Sequence, residues 1–368
     1  MADQKTAQTS RAVATQGGTR GAYITLDASD KVLSTDSVTA AMWSDNTPTL
    51  QVFQTSSAQV TSAVKEYYTS VYQTASTGVT AAIQFDIAYA NSKGSGSVPL
   101  NPLVVGTTPT RINYGSYRNL ILGDENATFI FGNYSASDFY CLPIERARYK
   151  QSILPGTWTM NISGSSLNLS LTDDSKINTV ANFSDAGRYY NIISGSAGVV
   201  RTTSDQSDAN GWTLASGSYG WILPDVDLLL LNAAALDGAV VGGGIALGTA
   251  TSNGTWDDNS AKIVSALRLS ADASGSGGFT LNSKEDLSSD FIFCRAKSQE
   301  YNYSSNPSFI SSSTGAILFD SFIDNPTTYI TTVGLYNNSQ ELLAVAKLSR
   351  PLEKDFTKEL LVRVKLDF

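Results

Sequence analysis

The stretch Leu360–Phe368, LLVRVKLDF, decides the fold class. Its even positions, Leu360, Val362, Val364, Leu366 and Phe368, are all apolar, and Arg363, Lys365 and Asp367 between them are charged. An apolar period of two over nine residues belongs to a β-strand with one face on a core and the other in water. An unpaired apolar tail would invite aggregation, so the expectation is a core strand with the Phe368 ring buried.

Working outward, the same signature recurs. YITTVGLYNNSQELLAVAKLS has the form of a hairpin turning at Asn337–Gln340, with Pro351 expected to end it. In TWTMNISGSSLNLSLTD, Trp158, Met160 and Ile162 alternate, then Leu167, Leu169 and Leu171, across SGSS. AAIQFDIAYA alternates through Ile83, Phe85, Ile87 and Tyr89, while GRYYNIISGSAGVV and YGWILPDVDLLLLN have the character of buried strands. Helical spacing is confined to three places. These are SAVKEYYTSVYQT through Val64, Tyr67, Tyr68 and Val71, a segment through Tyr114, Tyr117, Leu120 and Leu122 ending at Gly123, and SAKIVSALRLSADA, capped by Ser260 or Asn259. The fold class expected is mainly β (α+β), with antiparallel sheets in sandwich-like modules and a few short helices.

Along the chain four segments are expected. Residues 1–20 are polar, lack aromatics and suit a flexible arm that orders against a partner. Residues 21–99 form a mixed α+β segment, closed by the Gly/Ser/Pro-rich NSKGSGSVPLNP. Residues 100–278 form a central β-rich domain with Ser/Gly-rich loops, and 279–368 a C-terminal β-module.

Composition narrows the chemistry. The 368 residues are 42% hydrophobic but only 16% charged, against about 25% charged in ordinary domains. A net charge of −8 argues against nucleic acid as a partner. There is no histidine, which removes the usual general base, the usual partner of a Ser or Cys nucleophile and the commonest metal ligand. No stretch has signal-peptide or membrane-spanning length, so synthesis in a cytoplasm without membrane insertion is expected. Cys141 and Cys294 lack metal or redox spacing and read as buried free thiols, with a single bridge between them left open.

The remaining motifs each have an ordinary reading. Asp173-Asp174, Asp257-Asp258 and Glu285-Asp286 lack EF-hand spacing, and adjacent carboxylates on a strand face opposite ways, so they read as solvated turn charges. Gly242-Gly243-Gly244 lacks the Lys-Ser/Thr of a phosphate loop and reads as a flexible loop. Glu145-Arg146-Ala147-Arg148-Tyr149-Lys150 suits salt bridges or a solvated face. Tyr301, Tyr303 and Phe309, around Asn302 and Asn306-Pro307, could stack on a sugar, but more often such a loop packs on its own sheet or forms an interface. No catalytic, cofactor-binding or metal-binding residue is assigned, and a non-enzymatic protein is expected.

YRNLILGDENATFIFGN with IERARYKQSILPGTWTMNISG, SYGWILPDVDLLLLN, and above all QEYNYSSNPSF followed by YITTVGLYNNSQELLAVAKLSRPLEKDFTKELLVRVKLDF, resemble tail structural proteins of T4-like contractile-tailed marine phages, cyanophages among them. The resemblance covers 110–368 in patches. It implies a virion location in the phage tail, a baseplate (wedge-type) role exercised through protein–protein contacts, and partners among other tail proteins and copies of itself. It brings no catalytic residue and no cofactor. The alternative is a receptor-binding tail fibre or adhesin holding glycan on Tyr/Trp/Asn loops.

Overall fold

The computed structural model describes residues 11–13, 24–56, 68–96, 108–164, 168–178, 180–200, 218–238, 243–250, 259–274 and 278–367. They are mainly β, in antiparallel sheets with a few short helices, as the alternating patterns require. Two compact units form, Met1–Ser37 with Asp286–Phe368, and Val38–Glu285. The strands Lys31–Ala41 and Asn282–Ala296 each contain a boundary between units. These units differ from the segments 1–20, 21–99, 100–278 and 279–368. The NSKGSGSVPLNP stretch falls inside one unit, because strands from both sides of it pair in one sheet.

The larger unit is built on a thirteen-stranded antiparallel sheet. Neighbour to neighbour its path runs Thr49–Leu50, Phe279–Thr280, Thr159–Ser163, Asn168–Asp173, Gly187–Ser196, Gly220–Leu223, Leu228–Asn232, Asp138–Pro143, Ile83–Asn91, Tyr68–Tyr72 and Gln54–Thr55. Asn182–Ser184 and Val199–Val200 add to Gly187–Ser196. Laid flat, this path would be about 48 Å wide at about 4.8 Å per strand. Its first and last strands are separated in sequence only by 51–53, which spans at most about 14 Å. The sheet must therefore curl until its two edges nearly meet.

Alternation along each strand then creates two cores. Tyr140, Leu142, Leu229, Leu231, Phe85, Ile87 and Tyr89 face the enclosed side, with Trp43, Trp158 and Phe279. The helix Asn259–Ser274 sends Ile263, Val264, Ala266 and Leu267 into the same cluster. On the opposite side Phe139, Cys141, Trp221, Leu228 and Leu230 are covered by Tyr114 and Ile121 of the helix Pro109–Leu122 and by the hairpin Phe129–Phe131/Tyr134–Ala136. Strands covered on both faces lose their polar positions, which is why FYCLP and LLLL, inside these two strands, read as unbroken apolar runs.

The helix Pro109–Leu122 starts with proline in its first turn and, as expected, ends at Gly123 (φ 64°). Its buried face is Thr110, Tyr114 and Ile121; Leu120, expected on that face, is exposed. The hairpin of Thr159–Ser163 and Asn168–Asp173 forms with Met160 opposite Leu171 and Ile162 opposite Leu169. Leu167 is outside the described residues, as are 62–67 of the segment expected to be helical. Within that segment Tyr68–Tyr72 is a strand, not a helix. It pairs with Ile83–Asn91, and sheet pairing overrides a weak helical period.

In the smaller unit two sheets share one core. The first runs Ile24–Thr25, Arg11–Val13, Thr328–Tyr336, Leu342–Lys354. In the second, Leu360–Asp367 pairs along Ser289–Ala296 in unbroken register, and Lys31–Ala41 also pairs with this central strand. Leu26, Ile292, Cys294, Val333, Leu335 and Val364 form the core, with Ala344, Ala346, Val362 and Leu366 half-buried against it. The alternation in LLVRVKLD is reproduced: Leu361, Arg363, Lys365 and Asp367 are exposed, and Leu360, Val362, Val364 and Leu366 point inward. Phe368 is outside the described residues.

Two expectations for this unit are corrected. Arg11–Val13, assigned to a flexible arm, is a strand between Ile24–Thr25 and Thr328–Tyr336, because a backbone ladder does not need apolar side chains; residues 1–10 and 14–20 are outside the described residues. Pro351 does not end the hairpin. The strand continues to Lys354, with Leu352 opposite Ile330, and Pro351 sits in the irregular stretch between the Lys347 and Leu352 pairs. That strand lies at the sheet's edge, where a missing N–H is tolerated.

Candidate interaction surface

The two aspartates Asp173 and Asp174 are fully buried rather than solvated. Asp173 accepts from the backbone N–H of Gly156 (2.8 Å) and of Ser175 (2.9 Å). Asp174 accepts from the backbone N–H of Asn191 (2.9 Å) and from Asn178 Nδ2 (2.5 Å). Backbone amides can satisfy a buried carboxylate, so the pair ties turns to strands and leaves no oxygen aimed at a pocket. Glu285-Asp286 lies within a strand, where Ser37 donates to Asp286, rather than in a turn; Asp257-Asp258 is outside the described residues.

The glycine run is also more ordered than expected. Gly242 is outside the described residues, but Gly243, Gly244 and Ile245 are buried. Tyr219 donates to the Gly243 carbonyl at 2.8 Å, and Ile245 N–H to Leu236 O at 3.0 Å. Adjacent to the run, Ala233–Asp237 is a short helix.

In the basic cluster, the Arg146 guanidinium lies 4.6 Å from the Tyr149 ring centre and donates to the Tyr149 carbonyl. Tyr149 in turn hydrogen-bonds the buried Asp227. Asp227 also accepts the Ile153 N–H at 2.8 Å, and burial raises its carboxyl from 3.8 to about 6. The sign follows: below pH 3.8 Asp227 is protonated both folded and unfolded and costs nothing. As pH rises through 3.8–6 only the unfolded chain ionises, so stability falls, and above 6 the whole cost is present. At about 1.36 kcal/mol per pH unit that cost is at most about 3 kcal/mol. Asp227→Asn, which keeps an acceptor and tolerates the residue's φ of 53°, is expected to raise stability at pH 7 by about 1–3 kcal/mol. Urea unfolding at pH 4, 5 and 7 should show the gain growing with pH; a pH-independent difference contradicts it.

The cysteines are both buried and free. Burial raises both thiols, Cys294 to about 11, which suits inert core residues.

The aromatic group of 301–309 reaches the surface. It lies in the long connection 297–327 between strands. Tyr303 is 59% exposed and meets Phe309 edge-on at 5.7 Å, Phe309 stacks on Phe322 at 4.7 Å, and Phe319 meets Phe322 at 5.7 Å. Tyr301 adopts a left-handed conformation (φ 58°), and its hydroxyl is pushed up to about 12 by burial. Behind the cluster Asn302 is buried and holds the ammonium of Lys354, itself fully buried at the end of its strand.

The smaller unit exposes Leu318, Phe319 and Ile323 in this connection, and Tyr329, Leu342, Leu343, Val345, Phe356 and Leu361 on its strands and turns. Among the described residues it carries thirteen of the twenty-five exposed large apolar side chains, in about a third of the chain. Contiguous apolar exposure marks contact surfaces, and Leu343 and Val345 lie together on the outer face of the edge strand whose Ala344 and Ala346 face the core. Sequence reasoning missed the outward Leu342, Leu343 and Val345, because a strand with apolar residues at both parities resembles one buried on two sides. The candidate site is therefore an apolar and aromatic contact surface. Among the described residues no group of three or more metal-ligating side chains occurs. Comparison with protein-family models, with curated proteins and with solved structures gives no match.

Proposed function

We propose that the chain is a non-enzymatic structural subunit of a contractile phage tail, in the baseplate region, which assembles with other tail proteins and with copies of itself. The observation that supports this reading is the surface of the smaller unit, whose Leu342, Leu343, Val345, Phe319 and Ile323 stand in water although its own core is modest. Permanent assemblies cover surfaces of this kind. The resemblance of the C-terminal sequence to virion proteins points the same way.

The test is incorporation. Leu343→Lys with Val345→Lys adds charge to an exposed edge strand, so the isolated protein should fold and melt as the parent does. Phage carrying the pair should yield tails that lack this subunit. Normal particles carrying the altered subunit sink the proposal. The second reading, glycan binding, rests on the exposed Tyr303 ring over Phe309; binding on a glycan array that is lost in Tyr303→Ala, with intact tails in the charge variant, favours it instead.

A further inference from the structure

Lys354 and Asn302 belong to a β-sandwich unit yet serve neither its core nor its surface. Lys354 has no exposed area and Asn302 is 6% exposed. Lys354 ends the strand Leu342–Lys354, opposite Thr328, and Asn302 lies in the connection that precedes that hairpin. The Lys354 Nζ donates to Asn302 Oδ1 at 2.7 Å, to Ser298 O at 2.8 Å and to Asp355 O at 2.7 Å. Asn302 Nδ2 donates to Ser298 O at 2.7 Å, which fixes the amide against the amine. None of the three oxygens around Nζ is a carboxylate oxygen. Burial lowers the Lys354 pKa, partly opposed by the charges of Asp355, Glu300 and Glu359.

With a carbonyl bond of about 1.23 Å, an amine hydrogen-bonded at this distance stands about 3.5 Å from the amide carbon, at the edge of attack range. We propose that Lys354 and Asn302 form an intramolecular isopeptide cross-link. The neutral amine attacks Asn302 Cγ after a turn of the amide about its Cβ–Cγ bond. The Nζ–Cγ bond forms, the Cγ–Nδ2 bond breaks, and Nδ2 leaves as ammonia. Starting from the ammonium, the two protons that Nζ gives up finish on the leaving nitrogen, so that ammonium departs and the balance needs no oxidant or cofactor. Glu300, whose carboxylate accepts the Lys297 N–H at 2.9 Å and whose charge acts on Lys354, is the group assigned to relay a proton. The link would close the chain between 302 and 354, tying the aromatic loop to the sandwich it emerges from. It goes beyond the assembly role, and its test needs no virion.

The purified folded chain should weigh one ammonia less than its sequence, and a protease digest should contain one branched peptide joining 302 to 354. The linked fraction should rise on incubation at mildly alkaline pH, where more of the amine is neutral. Lys354→Met and Asn302→Ala should both keep their full sequence mass, whatever their stability. Asn302→Asp should lose water instead of ammonia if it links. Glu300→Gln should lower the linked fraction at a fixed time. A folded chain at its full sequence mass after prolonged incubation, with both peptides linear, overturns the proposal. So does a lost ammonia that maps elsewhere, as a succinimide at another asparagine would.

Discussion

Phe279→Ala is expected to lower the stability of the larger unit by about 3–5 kcal/mol. Phe279 is fully buried, with its ring 5.2 Å from Trp43, 5.5 Å from Phe85 and 6.3 Å from Trp158. Its two-residue strand joins Thr49–Leu50 to Thr159–Ser163 near one end of the curled sheet. Removing the ring therefore empties a space that three other aromatics border, and none can move in without leaving its own packing. The backbone carbonyl that accepts the Trp43 indole N–H at 2.9 Å survives the substitution, so the loss is one of packing. Urea unfolding followed by tryptophan fluorescence measures it. A loss below about 1 kcal/mol would mean that the aromatic cluster does not hold this end of the sheet, and Phe279→Leu should cost visibly less than alanine.

A second large effect is expected at Gly220. Its φ is 137°, and a Cβ there would stand 1.8 Å from the Leu230 carbonyl oxygen and 3.1 Å from the Leu231 Cα. Gly220 pairs with Leu231 on one side and Ile192 on the other, so the strand cannot step away without opening a ladder. Gly220→Ala is expected to cost more than about 4 kcal/mol or to prevent soluble expression. The control is Gly115→Ala in the helix Pro109–Leu122, where a Cβ meets nothing within 4 Å; it should stabilise by about 0.5–1 kcal/mol. If the two alanines behave alike in a thermal melt, the close approach of the strands at Gly220 is wrong.

Periodicity was a reliable guide wherever one face of an element meets a core and the other meets water. Leu360–Asp367 was legible for that reason, while Ile83–Asn91 and the Met160/Leu171 hairpin, buried on most of both faces, stayed legible because small or polar residues alternate with the large apolar ones. It failed for Tyr68–Tyr72, where three consecutive buried residues erase the alternation, and for Leu120, where spacing marked an apolar position that the packing leaves outside. The candidate surface was half legible. Tyr303 and Phe309 were singled out as an aromatic loop, but Phe319 and Phe322, which complete the cluster, lie more than nine residues further on and carry no local signal. Asp173 and Asp174 went astray because sequence records a charge but not the backbone N–H groups that can satisfy it.

The amino-acid sequence by itself determined that the chain is mainly antiparallel β and that it carries no histidine side chain for chemistry. These follow from composition and from a period of two, both local. Only the tertiary structure decided that strands from Thr49 to Thr280 join in one curled sheet, that an acidic pair and a lysine are buried, and which apolar side chains stay in water. Each of those depends on pairings between residues far apart in the chain, and a local pattern cannot specify which distant backbone will supply the partner.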